Sequence, residues 1–150
     1  MKTQLQVEIN KVVADKIRPL RHSELRKGQD FSTTSYLRDN DSETFHMACI
    51  KDDKVITCAT FYPESSEKIY GAHPYRLRGM ATDYKFQRKG YASDLMEKSF
   101  KELKVRDCDM VWCNARLVAV DFYKSVGFKI TGELFDIAGI GPHYYMYKEI

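Results

Sequence analysis

Residues 80–95 read MATDYKFQRKGYASDL. A strand-like run, YRLRGMAT at 75–82, ends at Thr82, and a short polar link follows. The glycine-containing turn 87–92 then opens into the most regular amphipathic segment of the chain. Tyr91, Ala92, Leu95, Met96, Phe100 and Leu103 recur at helical spacing, with charges on the opposite side. The first backbone N–H groups of such a helix lack intrahelical partners, and its dipole adds partial positive charge. A strand-to-helix turn of this kind can therefore hold an anion such as a phosphate. Gly90 lets the main chain approach without a Cβ in the way. Ala92 keeps the next approach small, and Arg88 and Lys89 add charge from the side. The alternative is that Gly90 only shapes the entry into the helix. The turn is neither a P-loop nor a GxGxxG fingerprint.

Working outward, residues 5–9 alternate as a half-buried strand does. Residues 12–25 form a helical pattern with Val13, Ile17, Leu20 and Leu25 on one face. Pro19 either kinks that helix or lies in its first turn, with the start near Lys16. Residues 28–42 are polar and irregular. Two strands follow, 44–51 and 54–61, joined by Asp52-Asp53 as a two-residue hairpin turn. After a loop at 63–74 comes the strand 75–82, with Gly79 suited to a bulge. Residues 109–114 (DMVWCN) form a buried strand and 117–126 a helix with Ala119, Phe122, Tyr123 and Val126 on one side. Gly127 serves as its C-cap, and 128–132 and 144–147 are the last strands. The order β-α-β-β-β-α-β-α-β-β predicts an α/β (α+β) fold, a mixed sheet with helices on its faces. The unit 75–114 implies a right-handed crossover between parallel strands.

At 150 residues, with 43% apolar and 30% charged residues, the chain is expected to form one globular domain, 1–150. A net charge of +3 is too small to argue for nucleic acid as a partner. No apolar run approaches the length needed to span a bilayer, and the N-terminus does not read as a leader or an anchor. Cys49, Cys58, Cys108 and Cys113 form no CxxC pair and have no histidine at ligand spacing. They are expected to be buried, reduced thiols of a cytoplasmic protein that holds no metal. A monomer and a homodimer both remain open.

The run Gln-Arg-Lys-Gly-Tyr-Ala, 87–92, resembles the [QR]xxGx[GA] signature of the GNAT superfamily of acyl-CoA-dependent N-acetyltransferases. Downstream, NARLVAVDFYKSVGF (114–128) resembles that family's second recurrent segment, in the right order and at the right distance. The tail, with Gly139-Ile140-Gly141-Pro142-His143 before Met146, is similar to the ElaA-like subgroup. The clear likeness covers 75–150. Tyr91-Ala92 departs from the family's usual Ile-Gly and puts a bulky ring at the turn.

The resemblance implies a GNAT-type, mostly antiparallel central sheet flanked by helices on both faces. It also implies acetyl-CoA as co-substrate and a primary amine of a small molecule or peptide as acceptor. Met80, Ala81 and Thr82 would pair with the pantetheine amides, residues 87–93 would hold the pyrophosphate, and Asn114 would bond the arm from the other side. The family's tyrosine maps onto Tyr123, whose phenol suits the general acid that protonates the departing thiolate; the alternative is a core aromatic on the helix face with Phe122 and Ala119. For the base, His22, His46, His73, His143 and Glu133 are candidates, as is a water relay. His143 leads because its Gly-Pro-His turn would lie before the last strand. Backbone N–H near Met80 and Ala81 would polarise the thioester carbonyl. Asp39, Asp41 and Glu64 are acidic residues suited to attracting a cationic amine. Two other readings stay open: a catalytically silent acyl-CoA-binding module on the same fold, and an α/β interaction domain without a cofactor.

Overall fold

The computed structural model describes residues 7–150. Leu5 and Gln6, at the start of the expected first strand, lie outside them. The elements are β1 (Val7–Val12), α1 (Ala14–Leu25), β2 (Phe45–Lys51), β3 (Lys54–Pro63), β4 (Pro74–Thr82), α2 (Tyr91–Val105), β5 (Met110–Arg116), α3 (Val120–Ser125), β6 (Lys129–Ile137) and β7 (Gly141–Glu149). Among the described residues, seven strands form one mixed sheet in the order β1-β2-β3-β4-β5-β7-β6. The β1–β2, β2–β3, β5–β7 and β6–β7 pairs are antiparallel. β4 and β5 are parallel, as their crossover through α2 requires.

The chain resolves into two compact units. One holds the residues up to Tyr62 with Gly79–Ser99, the other Pro63–Arg78 with Phe100–Ile150.

In the first unit the hairpin turn is as expected. Asp52 and Asp53 both take positive φ, 49° and 65°, the twist that matches flanking strands. Ile17 and Leu20 of α1 pack with Ala48, Cys58 and Ala81 of successive strands, which share one sheet face. α2 lies against the other face, where Lys98 Nζ donates to the Ile9 carbonyl at 2.7 Å. Burial pushes the Cys49 thiol up to about 11, and the Asp94 carboxylate of α2 adds to this. Pro19 sits well inside α1 rather than in its first turn, and Val13 caps the helix with 67% of its surface exposed. The buried stripe is Ala14, Ile17, Leu20 and Arg21, so an arginine occupies the place expected for an apolar residue. All four cysteines are free and buried.

In the second unit, the last two strands are longer than their patterns imply. They pair from Lys129↔Tyr147 to Ile137↔Gly141, across an irregularity between Thr131 and Phe135. Gly141, Pro142 and His143 are therefore not a turn before the last strand but its first three residues. The helix expected over 117–126 is a 3-10 turn at Leu117–Ala119 followed by the short α3. Its end is tightly fixed. The Phe128 amide donates to the Tyr123 carbonyl at 2.9 Å and the Gly127 amide to that of Lys124 at 3.0 Å, a Schellman pattern. The Tyr123 and Phe128 rings meet at 5.2 Å, the apolar contact that goes with it.

Candidate functional site

Every residue expected at the cofactor's pantetheine arm and pyrophosphate, apart from Asn114, belongs to the first unit. Ala81 is buried in its core, while Met80 and Thr82, facing the other way, are half-buried. The parallel ladder between β4 and β5 comprises Pro74↔Met110, Tyr75↔Val111 and Arg76↔Trp112. Residues 80–82 lie beyond it.

The link from Thr82 to the turn is fixed by hydrogen bonds. The Asp83 amide donates to the Ile56 carbonyl at 2.8 Å, and its carboxylate accepts from the Lys85 amide at 3.0 Å. Lys54 Nζ lies 3.1 Å from the same carboxylate. The Lys85 amide, with Lys54 and Lys85 as cations, holds the Asp83 carboxyl below its usual range. Gln87 Nε2 donates to the Thr82 carbonyl at 3.3 Å, so its side chain braces the loop.

Arg88, Lys89 and Gly90 are exposed, and Arg88 takes φ 61°. Gly90 has φ +88° with nothing within 4 Å of where a Cβ would stand. Its carbonyl accepts the Asp94 amide at 3.0 Å, so the amides of Tyr91, Ala92 and Ser93 precede the first intrahelical acceptor bond. The bulky Tyr91 stands edge-on to Phe86, with centroids 6.2 Å apart. Its ring is thus taken up by the preceding 3-10 turn, Tyr84–Phe86.

Asn114, Tyr123 and His143 belong to the second unit. Asn114 lies inside β5 rather than at its end, paired with Tyr145, and its Oδ1 is buried without a hydrogen-bond partner among the described residues. Such an orphan acceptor is costly unless a ligand amide completes it. Tyr123 is 6% exposed, packed by Phe122 and Phe128. Its hydroxyl has no hydrogen-bond partner among the described residues. Burial, with the Cys113 sulfur nearby, raises the phenol well above its ordinary value, so it keeps its proton at neutral pH. His143 is 3% exposed and lies directly across from Arg116. Its Nδ1 donates to the Gly141 carbonyl at 2.7 Å, which leaves Nε2 as the basic nitrogen of the neutral ring.

The other base candidates differ. Both ring nitrogens of His46 are engaged, by Thr60 at 2.8 Å and the Asp39 carbonyl at 2.9 Å. His22 Nε2 bonds the Gln29 carbonyl at 2.8 Å. His73 and Glu133 are exposed. The three acidic residues expected to draw in an amine are already paired. Asp39 binds Arg21, Asp41 binds Arg38, and Glu64 binds Arg76. Sequence reasoning missed Arg21 entirely; its position in the apolar stripe of α1, between Leu20 and Leu25, was the available signal.

No cluster of three or more His, Cys, Asp or Glu suited to a metal occurs among the described residues. No described helix is long and apolar enough to cross a membrane.

The model of the acetyltransferase (GNAT) family matches residues 12–128. The uncharacterized N-acetyltransferase YitI of Bacillus subtilis (strain 168) is 36% identical over 146 residues, spanning 96% of this chain and 97% of its own. An aminoglycoside 6'-N-acetyltransferase complexed with coenzyme A superposes with a TM-score of 0.78 at 14% identity, over 95% of this chain and 96% of its own. Escherichia coli ElaA gives 0.69 at 18% identity, over 95% and 99%. The two solved structures share the fold. The family match spans the turn at Gly90 and runs on to Phe128, taking in residues of both units, and with the YitI identity it establishes that the chain belongs to the GNAT family of acetyltransferases.

Proposed function

We propose that the chain transfers an acetyl group from acetyl-CoA to a primary amine by direct attack on the thioester. The observation that carries this reading is the open turn at Gly90. A left-handed glycine, three amides ahead of the first helical bond, and Arg88 and Lys89 beside them suit a pyrophosphate. The coenzyme A held by the aminoglycoside acetyltransferase of the same fold supports it.

In this reading residues 87–93 hold the pyrophosphate. Backbone groups of Met80, Ala81 and Thr82 pair with the pantetheine amides as a neighbouring strand would. Asn114 Oδ1 accepts a further amide N–H. The neutral amine nitrogen forms a bond to the acetyl carbon as the carbon–sulfur bond breaks. The nitrogen's surplus proton passes to His143 Nε2, and the thiolate takes a proton from the Tyr123 hydroxyl. The buried phenol, protonated at neutral pH, fits that donor role.

Two measurements test this. Acetyl-CoA at about 100 times its Kd should stabilise the protein by ~2.7 kcal/mol in a thermal melt. An amine panel with thiol detection should then show release of free CoA. A melt unmoved by either CoA or acetyl-CoA removes the reading; a shift without turnover on any amine leaves a silent binding module.

Gly90→Val should weaken acetyl-CoA roughly tenfold or more, about 1.4 kcal/mol, by calorimetry. A β-branched residue is strained at φ +88°, and its methyls would fill the open space. Unchanged affinity would place the pyrophosphate elsewhere.

A further inference from the structure

One face of the second unit's sheet carries a continuous row of rings. Strand alternation and register put Trp112, Asn114 and Arg116 of β5 on the same face as Tyr147, Tyr145 and His143 of β7 and Phe135 of β6. Trp112 and Tyr145 stack at 5.5 Å and 22°. Tyr145 and Phe135 follow at 5.3 Å, then Phe135 and His143 at 6.0 Å. Tyr145 and Phe135 are half-buried, so the row keeps an accessible side. α3 lies against the opposite face, where Cys113 approaches Tyr123.

The charges of the ring-bearing face are uneven. Arg76 lies over Trp112 at 4.9 Å and is paired with Glu64 at 3.0 Å. Lys129 is exposed at the rim. Arg116, half-buried, has no hydrogen-bond or ion-pair partner among the described residues. A half-buried guanidinium without a carboxylate is an anion site in waiting, since bidentate Arg–carboxylate pairs are among the stronger polar contacts. Glu149, across from Met110 on the same face, is exposed at the far end of the row from Arg116.

We propose that the acceptor is a free aromatic α-amino acid, its ring along the Trp112–Tyr145–Phe135 row and its carboxylate on Arg116. The register supplies the reason for the α-amino group. Arg116 and His143 are cross-strand partners, with Cα atoms about 5 Å apart in such pairs. A carboxylate seated on Arg116 therefore puts the amine on the same carbon beside His143. This rests on the acetyl-transfer reading, with His143 as base, and adds the substrate class to it.

Trp112 is the single tryptophan, so its fluorescence reports on the row. L-phenylalanine, which does not absorb at the tryptophan excitation edge, should change its emission saturably. Arg116→Gln should weaken that binding roughly tenfold or more. Phenethylamine, lacking the carboxylate, should bind more weakly and equally to both proteins. An emission unmoved by L-phenylalanine, an Arg116→Gln variant that binds it as before, or tighter binding of spermidine would overturn the proposal. The two readings fail separately. Binding of L-phenylalanine without thiol release from acetyl-CoA would remove the acetyl transfer. Thiol release with other amines and no response to L-phenylalanine would remove the aromatic acceptor alone.

Discussion

Asp39→Ala is expected to destabilise the protein by about 3–5 kcal/mol, the usual cost of stranding a buried charge. Arg21 is fully buried, and its Nη1 and Nη2 grip the two Asp39 carboxylate oxygens at 2.7 and 2.9 Å. The same guanidinium bonds the Thr34 carbonyl and Thr60 Oγ1, each at 2.7 Å, and lies 3.8 Å from the Tyr36 ring centre. Thr60 then donates to His46 Nδ1, and His46 Nε2 donates to the Asp39 carbonyl. The network ties α1, the loop 28–44, β2 and β3 together. It also reaches β4, because a Cβ on Gly79 would stand 3.1 Å from Tyr36 and 3.2 Å from Arg21. Without Asp39 the guanidinium keeps its burial and loses its counter-ion. Urea unfolding measures the loss. A drop below 1 kcal/mol would mean that water enters and solvates Arg21. The double variant Arg21→Met with Asp39→Leu should recover most of the stability, since it removes both charges.

The network also sets an acid limit. Burial lowers the His46 pKa despite the Asp39 carbonyl it bonds. Its stabilising share is therefore present above the unfolded value of about 6.5 and is lost as pH falls through the lower folded value. Burial pushes the Asp39 carboxyl up, but hydrogen bonds from Arg21 and the Tyr36 amide outweigh this and hold it below the carboxylate range. Its share persists above about 3.9 and is lost at still lower pH. Urea midpoints measured from pH 8 downward should thus fall first below pH 6.5 and again below pH 4.

Arg21 marks the boundary of what sequence pattern reveals. The strand at 75–82, the hairpin at Asp52-Asp53 and the helix after Gly90 follow from local alternation, turn chemistry and helical spacing. Each is set by residues close in the chain. Arg21 reads as a surface residue because its partners, Asp39 and Thr60, lie 18 and 39 residues away. Asp39 reads as a loop acid suited to drawing in an amine for the same reason. The ends of β6 and β7 were also hidden, since Gly132, Gly139, Gly141 and Pro142 signal turns locally. Cross-strand pairing overrides that signal and carries His143 into the sheet. At the candidate site the turn was legible, whereas the orphan acceptor on Asn114 and the unpaired Arg116 emerge only from the register of β5 with β7.

Tyr123→Phe should leave acetyl-CoA binding intact and lower kcat roughly 100-fold or more, the scale of general-acid assistance. The substitution removes one oxygen and keeps the ring between Phe122 and Phe128. The Schellman bonds from Gly127 and Phe128 use the carbonyls of Lys124 and Tyr123, which are untouched. Folding should therefore survive, and the acetyl-CoA melt shift should match that of the parent. The loss belongs in kcat because the proton is needed only as the sulfur departs, with little charge to meet in the ground state. A pH profile separates this role from packing. Burial holds the phenol protonated well past its ordinary value near 10, so the parent should show no Tyr123-dependent loss of kcat between pH 7 and 9. A thioester whose thiol leaving group is more acidic than CoA needs less protonation. The gap between parent and variant should narrow with such a donor. An equal gap for both donors, or a kcat unchanged by the substitution, would take Tyr123 out of the chemistry and leave it as a core aromatic of α3.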